Sequence, residues 1–196
     1  MKIRQEFEKW AILPASIEAA QATLGANIIE GAEAEPQDEM DEYTFSEAGG
    51  VAIIPVHGVI GHKVGAVAKM LGAVDALDVM AAIELAADDD EVDTIILDID
   101  SPGGTVSGVP ELAETVEAVQ ASGTKKIYAY TDSQMASAAY WLAAGANGIF
   151  AAPSADVGSI GVYLPVMDTS AALKEQGVQV EIFKSGKYKA AGFPGV

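Results

Sequence analysis

Short apolar runs alternate with longer stretches of helical periodicity from Gly49 onward. VAIIPV, DTIILDID, KKIYAY, GIFAAP and VQVEIF read as β-strands. Between them, apolar positions at helical spacing predict helices over 73–87, 106–121, 133–144 and 169–176, with Gly123 and Gly177 as helix-ending residues. This alternation is the signature of an α/β fold. Because the strand runs are apolar almost throughout, at least one face of the sheet must be covered. No fixed-period repeat is present.

The first 48 residues have a different texture. Phe7, Trp10, Ile12, Leu13, Ile17, Ala20 and Leu24 recur at helix-like intervals, interrupted by Pro14, and predict an N-terminal helical arm over 1–29. Residues 30–48 follow as an acidic linker. Eight acids fall between Glu30 and Glu47 without a lysine or arginine, a composition suited to a solvated spacer or, alternatively, to an acidic docking segment. The core-bearing domain is expected over 49–196.

Charge and composition narrow the function. The chain has 196 residues, 29 acidic against 11 basic, a net charge of −18 and 50% hydrophobic residues. That is enough apolar material for a core, and a surface that repels nucleic acid. With no cysteine there is no disulfide, no thiolate metal site and no cysteine nucleophile, and two histidines leave little for zinc. No opening run resembles a signal peptide, and no apolar stretch approaches the roughly 20 residues needed to cross a bilayer. The expectation is a soluble chain in a cytosol-like compartment.

Four segments can carry chemistry. Asp100-Ser101-Pro102-Gly103-Gly104 follows an apolar strand, and its paired glycines suit either an ordinary turn or an oxyanion-binding nest of bare N–H groups. It has neither the lysine of a phosphate loop nor the third glycine of a dinucleotide fingerprint. Met135-Ala136-Ser137-Ala138-Ala139-Tyr140-Trp141 sets a serine among small residues in the first turn of an apolar helix, as a helix cap or as a nucleophile a carbonyl can approach. In Val157-Gly158-Ser159-Ile160-Gly161-Val162, two glycines frame a serine where a strand is expected to begin, marking a bend or the close approach of another backbone. Lys184-Ser185-Gly186-Lys187-Tyr188-Lys189 packs three lysines into six residues of an acidic protein.

A serine nucleophile needs a base. His57, at a strand end, and His62, in the adjoining loop, read as structural or exposed, so a lysine is the economical alternative. The cost is considerable. Lowering a lysine from its ordinary ~10.4 by about three pH units takes about 4 kcal/mol, which burial away from carboxylates has to supply.

Taken in order, DIDSPGG, MASAAYWLAAGA, ADVGSIGV and AALKEQGVQVEIFKSGKYKAAGFP resemble the signal peptide peptidase A (SppA) type of serine peptidases, in the branch containing lambda-like phage capsid proteases. The resemblance covers about residues 50–196. It implies a ClpP/crotonase-like fold of repeated β-β-α units and peptide hydrolysis by a Ser–Lys dyad, without metal or organic cofactor. On the family's motifs Ser137 matches the nucleophile. Lys189, not Lys187, matches the base of a Ser-Gly-x-x-Lys motif. Gly103 and Gly104 match the oxyanion turn, with the Ala138 N–H as a further donor, and Ser159 matches a lysine-orienting serine. The implied substrate is a polypeptide, such as a capsid scaffold or coat protein, cut in the host cytoplasm or procapsid interior by a homo-oligomer. Family members continue past the lysine with helices that cover the site, so a domain truncated at its C-terminus is expected. Three alternatives stand beside this: a soluble bacterial peptidase of the same type, a noncatalytic assembly or peptide-binding module, and a crotonase-like acyl-CoA enzyme using Gly103 and Gly104 to hold an enolate.

Overall fold

The computed structural model describes residues 45–193 together with the backbone of Ala11–Ile12. Most of the expected helical arm and acidic linker lies outside the described residues. The chain divides into two compact units, Met1–Val162 and Tyr163–Val196.

In chain order the first unit contains β1 (Ala11–Ile12), β2 (Ser46–Ala48), β3 (Val51–His57), β4 (Ile60–Gly61), α1 (Ala66–Met70), β5 (Val74–Asp75) and α2 (Ala76–Asp88). It continues with β6 (Thr94–Asp100), β7 (Gly103–Gly104), α3 (Val109–Ser122), β8 (Lys126–Thr131), β9 (Gln134–Ala136), α4 (Ala138–Ala144), β10 (Gly148–Ala151) and β11 (Asp156–Gly158). The second unit holds α5 (Ser170–Glu175).

The main sheet has the order β10-β8-β6-β3-β2. Its first four strands are parallel, and β2, at the end of the acidic stretch, closes one edge antiparallel to β3. Each long parallel strand is followed by a short strand outside this sheet: β3 by β4, β6 by β7, β8 by β9 and β10 by β11. Helices α3 and α4 follow directly on β7 and β9. These are repeated β-β-α units of the kind the resemblance implies.

Alternation along the strands decides which face is dry. Ala52, Ile54 and Val56 of β3, Ile95, Leu97 and Ile99 of β6, and Ile127 and Ala129 of β8 are buried, while their neighbours in sequence point the other way. Helices supply the matching stripes at three- and four-residue spacing: Val79, Ala82, Ile83 and Ala86 on α2, Leu112, Ala113, Val116 and Val119 on α3. Local signals set the helix ends. The Asp75 carboxylate accepts the Leu77 N–H at 3.1 Å as an N-cap, and Gly123 ends α3 at φ 67°.

Four expectations differ from the structure. Residues 133–136 are not helical: Gln134–Ala136 forms β9, parallel to β11, and Met135 also bridges to Ser101. Ala and Met are good helix formers, but intrinsic propensity is a weak determinant, and ladder partners on both sides override it. The strand near Ser159 ends at Gly158 rather than beginning there. VQVEIF carries no strand, for the second unit contains no described strand to pair with it. Within the expected helical arm, Ala11–Ile12 is a strand.

Candidate active site

The end of β6 runs into Ser101-Pro102-Gly103-Gly104, and the packing there is tight enough to exclude any side chain. A Cβ placed on Gly104 would lie 1.7 Å from the Ile60 carbonyl oxygen. One placed on Gly103, at φ 96°, would lie 2.7 Å from Ser137 Cβ, 2.8 Å from the Ala136 carbonyl oxygen and 2.9 Å from the Ala138 nitrogen. The glycine pair is therefore required by close approach as well as by backbone angle. It brings the turn against the serine that the small-residue motif singled out.

Ser137 sits between β9 and α4, at φ 52° and ψ −118°. A non-glycine residue in that region carries strain of about 1–3 kcal/mol, held only because the surroundings over-determine it. Here they do. The Ser137 N–H donates to the Gly158 carbonyl at 2.8 Å, and the Ser137 carbonyl accepts from Trp141 N–H at 3.0 Å. Ala138 and Ala139 are buried immediately beyond. Ser137 thus stands, half-buried, at a sharp turn from strand to helix.

Ser101 was not among the sequence candidates. It is fully buried, and its backbone is tied on both sides, its N–H donating to the Gln134 carbonyl at 2.8 Å and its carbonyl accepting from Ala136 N–H at 3.1 Å. Its Oγ accepts the Gly103 N–H at 3.2 Å. For Gly103 to donate to a developing oxyanion, that long bond has to open; the Ala138 N–H lies next to it at the start of α4. The available signal was a serine directly before Pro-Gly-Gly at a strand end.

Ser159 follows Gly158, the residue that receives the Ser137 N–H, and itself has φ 52°. The structure thus brings the backbones of Gly103, Ser137, Ala138 and Gly158 to one corner, with Ser159 next in chain. His57 Nε2 and Asp98 Oδ2 are 2.9 Å apart on the exposed sheet face, and the Gly108 backbone packs against the His62 ring.

Lys189 belongs to the second unit. It lies in a series of turns after Gly186, its N–H donating to the Gly186 carbonyl at a long 3.4 Å, and Ala190 follows at φ 72°. Lys187, the nearby lysine, places its Nζ 5.3 Å from the Tyr188 ring centroid. Upstream in the same unit, Asp168 accepts from the Ser170 hydroxyl at 2.5 Å and from the Ser170 N–H at 2.9 Å. Those two bonds hold the Asp168 carboxyl below its ordinary range.

No helix among the described residues is long and apolar enough to cross a membrane. Residues 119–195 match the family model described as Peptidase family S49. The chain is 32% identical over 151 residues to the capsid assembly protease C of Escherichia phage lambda, covering 77% of this chain and 34% of that protein. It is 28% identical over 163 residues to the head-tail preconnector protein GP5 of Enterobacteria phage P21, covering 79% and 32%. The chain thus spans about a third of the length of these relatives. Among solved structures, an enoyl-CoA hydratase from Polaromonas aligns over 57% of this chain and 49% of its own, with a TM-score of 0.43 and 13% identity.

Proposed function

We propose that this chain, whose residues 119–195 match the model of peptidase family S49, is a serine endopeptidase in which Ser137 is the nucleophile and Lys189 the general base. The observation that carries the reading is the corner at Ser137: a strained serine against a turn so tight that Gly103 has no room for a side chain. Lys189 is assigned on the Ser185-Gly186-x-x-Lys189 spacing of the sequence.

The neutral Lys189 amine takes the Ser137 hydroxyl proton as Oγ attacks the scissile carbonyl, and then gives it to the leaving amine. An acyl-enzyme remains on Ser137. Water, deprotonated by the same lysine, releases it. The oxyanion formed at each addition is held by the Ala138 N–H and by N–H groups of the Gly103–Gly104 turn, that of Gly103 once its bond to Ser101 Oγ has opened. Ser159 orients the amine without adding charge. Peptide is the substrate class, and the phage relatives favour capsid scaffold or coat protein as its source, processed by a homo-oligomer.

Labelling with a serine-directed acylating reagent, read by intact mass, tests this. Ser137→Ala should abolish labelling, and Lys189→Ala should slow it by about 10²- to 10⁴-fold, the usual contribution of a general base. A folded chain that takes no label would overturn the reading. The bond from Gly103 N–H to Ser101 Oγ favours one other reading, a peptide-binding module of the same fold without turnover. That module would bind peptide with its affinity unchanged in Lys189→Ala and leave the peptide intact.

A further inference from the structure

β7 is a strand of two glycines with neighbours on both sides. One side is taken by β4, where Ile60 is opposite Gly104. The other is taken by β1, from near the start of the chain, running antiparallel with Ala11 opposite Gly104 and Ile12 opposite Gly103. Gly103 is also the residue whose Cα abuts Ser137. A stretch of extended chain therefore lies hydrogen-bonded to the strand that forms one wall of the Ser137 corner.

Since Gly103 and Gly104 have no side chains, β1 is registered on them through backbone groups, and such a ladder accepts any extended peptide of suitable direction. Strand addition to a sheet edge is a general way of holding a peptide, with main-chain bonds giving affinity. Among the described residues the cis ladder is two residues long. Pro14, two positions on, has no N–H to extend it. A weakly held occupant of that kind yields to a longer strand.

We propose that the outer edge of Gly103–Gly104 is a slot for an extended, antiparallel peptide, and that Ala11–Ile12 is its resting occupant, which an incoming peptide has to displace. The inference rests on the peptidase reading only for the identity of that peptide as substrate. The N-terminal segment then restrains the site in cis.

The test uses the full-length chain, the double variant Ala11→Pro/Ile12→Pro, and a fluorescent synthetic peptide repeating residues 9–14. Proline removes the N–H groups of β1 and leaves β7 untouched. The variant should bind the peptide at least about tenfold more tightly than the unaltered chain, equivalent to about 1.4 kcal/mol of competition removed. Amide exchange at Gly104 should be faster in the variant and slow again when peptide is added. Ile12→Pro alone, with an unchanged unfolding transition, should show the same direction and guards against a folding defect. Equal affinity in all three chains, or exchange at Gly104 that ignores both proline and peptide, overturns the proposal. The two readings fail separately. An affinity difference without serine labelling removes the peptidase and keeps the slot; labelling without an affinity difference removes the slot alone.

Discussion

The corner around Ser137 and the segment that carries Lys189 are built on opposite terms. At the corner Ser101, Met135, Ala136, Ala138 and Ala139 are all buried, and two glycines are packed to the limit of contact. Across the described residues of 163–193 none is buried: Phe183 is 95% exposed and Leu164 77%. Dense packing can hold a serine at a strained backbone angle, because every alternative conformation collides with something. A segment with no core of its own has no such means, and its conformation is set by turns and a short helix.

That contrast can be broken first at the glycines. Gly104→Ala should cost more than about 3 kcal/mol in denaturant unfolding, since its Cβ meets the Ile60 carbonyl rather than a mobile side chain. Gly177→Ala, at φ 73° with open space around it, should cost only about 1 kcal/mol. Comparable losses would mean that the first unit relaxes as freely as the second.

Strain at the serine offers a sharper version. Ser137→Gly should end labelling yet raise stability by about 1 kcal/mol, as glycine tolerates φ 52° and loses only part of that gain to chain entropy. A destabilised Ser137→Gly would show that the angle is unstrained. Ser101→Ala, which removes the acceptor of the Gly103 N–H, should cost about 1 kcal/mol of stability and leave the labelling rate within tenfold. A loss of labelling as complete as that of Ser137→Ala would give Ser101 a larger part than holding the turn.

The smallest effect belongs to the second unit. The Asp168 carboxyl is held below its ordinary pKa of 3.8 by the Ser170 hydroxyl and N–H, so the ionised form is favoured in the folded segment. Its contribution is complete above the ordinary value and is lost as pH falls through the lowered one. Protection of the Ser170 amide, taken relative to its intrinsic exchange rate at each pH, should be lost only in acid, and Asp168→Asn should flatten the profile. Loss of protection already at neutral pH would contradict the assignment.

Much of the fold was legible because its cues are local. Val79, Ala82, Ile83 and Ala86 announce a helix face, and Ile95, Leu97 and Ile99 a strand face, in any context. Gly123 marks a helix end for the same reason. The candidate site was legible in part: Gly103, Gly104, Ser137 and Ala138 stand in two motifs, and the fold brings those motifs together. Ser101 was missed because its hydroxyl matters only once β6 lies beside β9. VQVEIF misled because β-branched composition is half of a strand; a ladder partner is the other half.

Alternating strands and helices, the helix stops and the glycine-bearing turn were determined by the sequence alone, for each depends on residues within a few positions of one another. The tertiary structure decided that Gln134–Ala136 is strand rather than helix, that Ser137 is forced to φ 52°, and that Ala11–Ile12 lies along Gly103–Gly104. Each of these needs a hydrogen-bond or steric partner far away in the chain, and no local periodicity records where that partner will be.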